Sequence, residues 1–176
     1  MRQVENQTLP NRYTRLMNTV PHVSEGTASL LRELRDRDCE TGLLTASRIY
    51  RALLGEIART SRYGNPLSCV LVQLRGLADA DPQIRLQLAS RLADGMRNTD
   101  FAGIWDEEEF LLVLPETDEP GARRFVGKVE QDLTDLASRL GPARGVAPEI
   151  ATRITTWREG DDAGAMLKHL ETRTRA

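Results

Sequence analysis

The fold is decided by the stretch Ile104-Trp105-Asp106-Glu107-Glu108-Glu109-Phe110-Leu111-Leu112-Val113-Leu114-Pro115. An apolar pair leads into a run of four carboxylates, and an apolar run typical of a buried strand follows it. Pro115 ends that strand because it has no backbone N–H to donate. Four consecutive carboxylates cannot all be buried, since each desolvated charge needs a partner. The stretch therefore predicts a β-hairpin with the acidic run at its tip, a position that suits a metal or nucleotide site.

Composition limits the class of protein. A chain of 176 residues is long enough for one domain that buries about two-thirds of its unfolded surface. The 24 basic and 26 acidic residues leave a net charge of −2, so no overall field draws the chain to nucleic acid or to an acidic membrane. Aromatic residues make up 5%, which also disfavours a surface for stacking bases. We therefore expect no nucleic-acid partner.

The cysteines and histidines exclude further classes. Cys39 and Cys69 are far apart, no CxxC is present, and the chain has two histidines, so neither a zinc site nor a disulfide framework is expected. No apolar run approaches the ~20 residues of a membrane span. We expect no metal, no cofactor, no membrane insertion and a cytoplasmic location.

Periodicity outlines the rest of the chain. Residues 1–36 are predicted to form an N-terminal arm and a lead-in helix that can pack on a protein partner or a second copy, and residues 37–176 the domain. A helix capped by Ser47 precedes Leu67–Leu74, which is apolar on both faces and therefore predicted to be a central strand flanked by the two hairpin strands. Asp81-Pro82 opens a helix whose apolar stripe ends at Met96.

After the hairpin the pattern repeats. Asp118 and Pro120 start a long helix that Gly141-Pro142 ends, alternating Ile and Thr residues predict a last strand at 150–156, and a short helix closes the chain. The order is helix, strand, helix, hairpin, helix, strand, helix. It predicts an α+β domain with a mixed, mainly antiparallel sheet covered by helices.

Three segments resemble one family. Asp38–Leu43 is similar to D-x-L-T-G-L, Arg62–Ser68 to R-x-G-x-P-L-x, and Asp106–Phe110 followed by Leu114–Thr117 to G-G-D/E-E-F and L-P-x-T. In this order and spacing, from about Arg37 to the end, they resemble the GGDEF domain, the nucleotidyl-cyclase-like module that makes cyclic di-GMP in bacterial signalling and biofilm regulation.

The chain departs from that family where the family does its chemistry. The resemblance implies two glycines, which allow a sharp turn close to the nucleotide, where this chain has Asp106 and Glu107. It implies a magnesium-holding Asp where this chain has Gln73, and Arg75 follows two residues later. Glu108 and Glu109 keep the acidic positions of the signature, and the guanine-binding stretch after Leu77 is shortened. Because phosphoryl transfer relies on metal ions, we expect no catalysis.

The resemblance also implies a product-binding R-x-x-D motif five residues before the signature. Arg97 and Asp100 occupy this place, and Lys128 stands where the family often has a second Arg. An Arg fork matches the O6/N7 edge of guanine, and a carboxylate can accept from the opposite edge. The same pattern also occurs at Arg158/Asp161, and a helix-end cation with a turn residue would explain Arg97 and Asp100 without a ligand.

Three functions remain open from the sequence. The first is a non-catalytic GGDEF-like signalling protein that binds cyclic di-GMP through Arg97, Asp100 and Lys128. The second is a protein–protein interaction or scaffold module that has lost both catalysis and nucleotide binding. The third is a surviving enzyme whose metal site is rebuilt from Glu107, Glu108 and Glu109, for which the first strand supplies no second ligand.

Overall fold

Four helices and four strands follow one another in the residues that the computed structural model describes, 36–76, 82–140 and 149–172. The elements in chain order are α1 (Ala46–Tyr63), β1 (Leu67–Arg75), α2 (Pro82–Asp94), β2 (Phe101–Asp106), β3 (Glu109–Pro115), α3 (Glu119–Leu140), β4 (Glu149–Thr156) and α4 (Ala163–Thr172). Residues 1–35 of the predicted arm and lead-in helix (1–36), the cap Asp81 and the helix stop Gly141-Pro142 lie outside these ranges.

The four strands form one antiparallel sheet in the order β2-β3-β1-β4. Together with the covering helices this confirms the predicted α+β fold. The central place of β1 is also confirmed, but the prediction that both hairpin strands flank it is wrong. β3 pairs with one edge of β1 and β4 with the other, while β2 lies beyond β3. The two hairpin strands pair with each other, so only one of them can also pair with a given edge of β1. The other strand then lies one position further out.

β1 is buried on both faces because each face has its own helical layer. Val70, Val72 and Leu74 pack in a core with α2 and α3. The alternate residues of β1 point into a second core with α1 and α4, and these are Leu67, Cys69 and Leu71. A strand that is covered on both faces has a nearly continuous apolar sequence, as β1 does. No helix among the described residues has the length and hydrophobicity needed to cross a bilayer.

The segment before α1 extends the sheet beyond β2. Asp38 accepts a hydrogen bond from the backbone N–H of Thr41 at 2.8 Å, and Gly42 completes the turn with a φ of 71°. Leu44 then pairs with β2, where its N–H donates to the carbonyl of Ala102 at 3.0 Å and its carbonyl accepts from Ile104 at 2.8 Å. The D-x-L-T-G-L-like segment is therefore a tight turn that docks on the edge of the hairpin.

Two helix starts test the predicted caps. α1 begins at Ala46 after Thr45, so the prediction of Ser47 as its cap is wrong by two residues, and the Ser47 hydroxyl lies 3.3 Å from that of Thr45 instead. α3 begins after Asp118 as expected. The Asp118 carboxylate accepts from the N–H of Gly121 at 2.8 Å, which satisfies one of the free donors of the first helical turn.

Candidate functional site

The acidic run forms the tip of the β2–β3 hairpin. Asp106 ends β2, Glu109 begins β3 opposite it, and the register shifts between Ile104 and Asp106. Glu107 and Glu108 form the turn between them. All four carboxylates that the sequence singled out therefore lie together, at the end of the sheet where β1 also ends.

Glu108 is bound to the end of β1. Its Oε1 atom accepts a hydrogen bond from the backbone N–H of Gly76 at 2.7 Å, and its carbonyl accepts from Leu74 at 2.8 Å. Gly76 has a φ of 85°, a left-handed conformation that a residue with a Cβ adopts at a cost. This carboxylate, which keeps an acidic position of the signature that the chain resembles, is thus engaged with backbone.

Gln73 and Arg75, the two residues of β1 that depart from the resembled family, bond through their side chains to other residues of the protein. Gln73 donates through Nε2 to Oε1 of Glu109 at 3.3 Å, and its own Oε1 accepts from Nη2 of Arg153 at 3.4 Å. Arg75 lies opposite Glu149 on β4, with 3.4 Å between Nη1 and Oε2. Neutral and cationic groups therefore occupy the strand end where the resemblance implies a carboxylate.

Burial and neighbouring charges act on Glu109. Loss of solvent raises the pKa of its carboxyl group above the ordinary value, the charge of Asp106 raises it further, and the charge of Arg153 lowers it. Glu171 and Glu108 also raise this pKa. Glu109 is therefore a half-buried carboxyl group whose ionisation is disfavoured by burial and by its acidic neighbours and favoured by Arg153.

The residues present do not fit the magnesium site that the resemblance implies. Magnesium takes oxygen ligands in strict octahedral geometry and is usually bound through carboxylates. Gln73 is neutral, and Glu108 already accepts from Gly76. No cluster of three or more His, Cys, Asp and Glu residues suited to a metal ion occurs within 36–76, 82–140 and 149–172.

Two cations at the hairpin were missed by the sequence analysis. Arg85 on α2 donates through Nη2 to the carbonyl of Glu107 at 2.9 Å, and Arg153 on β4 reaches Gln73. A signal existed for Arg153. It lies between Thr152 and Ile154, and because successive side chains of a strand alternate, it points to the face of the sheet opposite to theirs.

Arg97 and Asp100 form a closed turn at the other end of β2. The prediction that the apolar stripe of α2 continues to Met96 is wrong as a helix assignment, because α2 ends at Asp94. Asp100 Oδ2 accepts from the Arg97 N–H at 2.8 Å, and the Asp100 N–H donates to the Arg97 carbonyl at 3.0 Å. These bonds close a turn between the end of α2 and the start of β2.

The two side chains of this turn differ in environment. The Arg97 side chain is exposed and Asp100 is half-buried. Burial raises the pKa of Asp100 above its ordinary value of 3.8, while the hydrogen bond from Arg97 and its charge lower it. The turn thus combines an exposed cationic side chain with a carboxylate that is partly withdrawn from water.

Lys128 lies on the exposed side of α3, next to Val129, which packs near the end of α2. A Cβ added to Gly95, just before the turn, would lie 4.0 Å from Cγ2 of Val129. Arg91 and Asp132 join the two helices through a 3.1 Å ion pair. The three residues of the predicted ligand site therefore belong to neighbouring segments. Arg97 and Asp100 precede β2, so they lie at the opposite end of this strand from the acidic tip, roughly 17 Å away by strand rise.

Solved structures share this fold. The diguanylate cyclase SiaD of Pseudomonas aeruginosa, solved with its activator SiaC, is 22% identical with a TM-score of 0.67, and the match covers 92% of this chain and 62% of SiaD. The coiled coil and GGDEF domain of DgcB from Caulobacter crescentus, solved with cyclic di-GMP, is 13% identical with a TM-score of 0.73, covering 84% of this chain and 82% of that one.

A third structure, the active GGEEF domain of a diguanylate cyclase from Vibrio cholerae, is 18% identical with a TM-score of 0.64, covering 74% of this chain and 87% of that one. A comparison with curated protein sequences finds no match. The family model described as the GGDEF domain of diguanylate cyclases matches residues 36–176, and the chain therefore belongs to the GGDEF family.

Proposed function

We propose that this chain is a non-catalytic GGDEF domain that acts by binding cyclic di-GMP. The ligand is held at the turn of Arg97 and Asp100, with Lys128 supplying a second cation. The observation that carries the proposal is this turn, in which the backbone N–H of Arg97 donates to the half-buried carboxylate of Asp100 while the Arg97 side chain is exposed. It stands beside α3 and away from the altered catalytic hairpin.

Loss of catalysis is supported by the hairpin. Phosphoryl transfer needs metal ions that neutralise the charge developing on the transferred group. In this chain the strand position expected to hold them is Gln73, and the carboxylate of Glu108 accepts from Gly76. Asp106 and Glu107 add negative charge where a nucleotide would bring its own, so substrate binding is opposed as well.

Binding is supported by the chemistry of the turn. Asp100 uses Oδ2 to accept from Arg97, and an ionised carboxylate has further lone pairs that can accept from a guanine N–H. The Arg97 guanidinium offers a planar fork for O6 and N7 of the base. Lys128 adds a point charge suited to a phosphate. The fold is shared with DgcB, whose structure was solved with cyclic di-GMP.

A second candidate is an interaction module without a nucleotide. It is favoured by the same turn geometry at a place with no predicted ligand: the Arg158 N–H donates to Oδ2 of Asp161 at 3.0 Å, and the Asp161 N–H donates to the Arg158 carbonyl at 2.9 Å. The turn is therefore stable without any ligand role. In this reading a protein partner, or a second copy bound through the N-terminal arm, replaces cyclic di-GMP.

The second turn provides a matched control for the test. Calorimetric titration with cyclic di-GMP is expected to show binding that Arg97→Ala weakens about ten- to a hundredfold, since a charge-assisted contact is worth roughly 1.5–3 kcal/mol. Arg158→Ala, which removes the same side chain from the same kind of turn, should leave the affinity unchanged. Absent binding at submillimolar ligand, or equal effects of the two variants, favours the interaction module.

A further inference from the structure

A cavity of about 110 Å³ lies under the hairpin, between the sheet and α4. Trp105 and apolar side chains such as Leu71 line part of it, and charged groups from Glu109, Arg153 and Glu171 line the rest. The cavity lies on the α1 and α4 side of the sheet, since Leu71 and Leu170 belong to the core on that side. It adjoins the strand end where the metal-holding Asp of the family is replaced by Gln73.

Arg153 is fixed in this cavity from two directions. Nη2 donates to the side-chain oxygen of Gln73 at 3.4 Å, and Nη1 donates to the backbone carbonyl of Leu170 at 3.4 Å. Both bonds are long, and they connect β4 with β1 and with α4. The guanidinium is thus directed toward a group of oxygen atoms.

The charges around Arg153 explain why a cation is needed there. Glu109 is half-buried, Asp106 lies opposite it in the hairpin, and Glu171 lines the same cavity as Glu109 and Arg153. A half-buried carboxylate with acidic neighbours is costly unless a positive charge compensates it. Arg153 is the one cation that lines the cavity among the described residues.

We infer that Arg153 is a built-in counter-cation that occupies the place of a divalent ion and closes the hairpin to metals. Its guanidinium is always protonated and is attached to the strand, so it cannot be exchanged for magnesium or manganese at any concentration. The inference deepens the proposed loss of catalysis and is independent of ligand binding at Arg97. It also means that restoring the missing carboxylate at Gln73 is insufficient to restore metal binding.

Terbium luminescence tests whether Arg153 excludes metal ions from the hairpin. Tb³⁺ is a hard cation that prefers oxygen ligands, and Trp105 in the cavity wall can sensitise its emission. We expect no saturable signal for the wild-type chain or for Gln73→Asp, in which Arg153 remains in place. Gln73→Asp/Arg153→Ala should bind terbium at least about tenfold more tightly than Gln73→Asp, because the oxygen atoms then face an empty position with no competing charge. Adding Trp105→Phe to the double variant should remove most of the emission.

Arg153→Met serves as a second variant, since it retains an apolar stem of similar length in case the alanine substitution unfolds the chain. Circular dichroism of each variant checks the fold. The inference is overturned if Gln73→Asp alone binds terbium as tightly as the double variant, or if a folded double variant gains nothing. Neither result bears on the titration with cyclic di-GMP, so failure of this inference is distinguishable from failure of the proposed function.

Discussion

Glu108 accepts a 2.7 Å hydrogen bond from the backbone N–H of Gly76, which joins the hairpin turn to the residue just after β1. The bond gives the acidic tip a structural role, since it satisfies a backbone donor at the end of a central strand. A carboxylate used in this way is held in place by the fold. The contact that orders the tip therefore runs through a carboxylate that keeps an acidic position of the GGDEF signature.

The first prediction is that the purified chain makes no cyclic di-GMP from GTP with magnesium or manganese. Gln73 and the engaged Glu108 leave no adequate metal site, and phosphoryl transfer without metal ions lacks its main source of charge stabilisation. Chromatography of the nucleotide products measures this, with an active diguanylate cyclase as positive control. Turnover that survives repurification and disappears in Glu108→Gln would contradict the prediction.

The core prediction concerns β3. Leu112 is fully buried and pairs with Val70 on β1, so Leu112→Ala should lower the free energy of unfolding by about 2–5 kcal/mol. Leu54→Ala on α1 is the matched control, because Leu54 is 45% exposed and its truncation should change stability by about 0.5 kcal/mol or less. Urea denaturation measures both. Similar costs for the two variants would show that the core is assigned wrongly.

Local patterns in the sequence predict the elements of this fold well. The apolar run of β1 indicates a central strand, and the carboxylates between two apolar segments indicate the hairpin, because both signals come from neighbouring residues. Which hairpin strand pairs with β1 is decided by packing across the sheet, and the sequence analysis placed both strands there. The end of α2 was also placed too late, because Met96 packs against the same core as Leu88 and Leu92 although it lies outside the helix.

The candidate site depends on contacts that are far apart in the chain. Gly76 and Glu108 are 32 positions apart, and Gln73 and Arg153 are 80 positions apart. Such pairs leave no periodic signal. The sequence therefore indicated that a carboxylate was missing at Gln73 but not which cation had taken the vacated space.

Gly103 marks the point where α1 crosses β2. A Cβ at this position would lie 2.5 Å from Cβ of Ile49 and 3.0 Å from the carbonyl of Leu44, so Gly103→Ala forces α1 away from the sheet. We expect a loss of about 1–3 kcal/mol in unfolding free energy, typical of overpacking. Gly127→Ala on α3 meets no atom within 4 Å and should instead stabilise the helix by roughly 0.5–1 kcal/mol. A lower melting temperature for Gly103→Ala and a higher one for Gly127→Ala would confirm that α1 approaches β2 closely at Gly103.

Lys128 should contribute through its charge and position. Replacement by Arg keeps the charge and adds a planar fork that can contact a phosphate or base at two points, so Lys128→Arg is expected to tighten cyclic di-GMP about three- to tenfold. Lys168→Arg on α4 makes the same chemical change away from the turn and should have no effect. If both variants bind like the wild-type chain, Lys128 does not face the ligand.

Asp100 should make ligand binding depend on pH. Only the ionised carboxylate has its full set of acceptors for a guanine N–H, and burial raises the pKa of Asp100 above 3.8. Affinity for cyclic di-GMP should therefore fall by up to about tenfold per pH unit below that raised pKa, beginning at a higher pH than for an ordinary aspartate. Titrations between neutral and acidic pH measure this.

Acidification should weaken ligand binding through Asp100, but it should increase the contribution of Asp100 to stability. Because the folded chain holds this proton more tightly than the unfolded chain, the contribution of Asp100 to stability is present below pH 3.8 and is lost as pH rises through the folded pKa. Weaker binding on acidification thus cannot arise from destabilisation by Asp100. Asp100→Asn retains an oxygen for the Arg97 N–H, so it should preserve the turn, bind weakly at neutral pH and show no such pH dependence. An asparagine variant whose affinity still falls with acidification would assign the titration to another group.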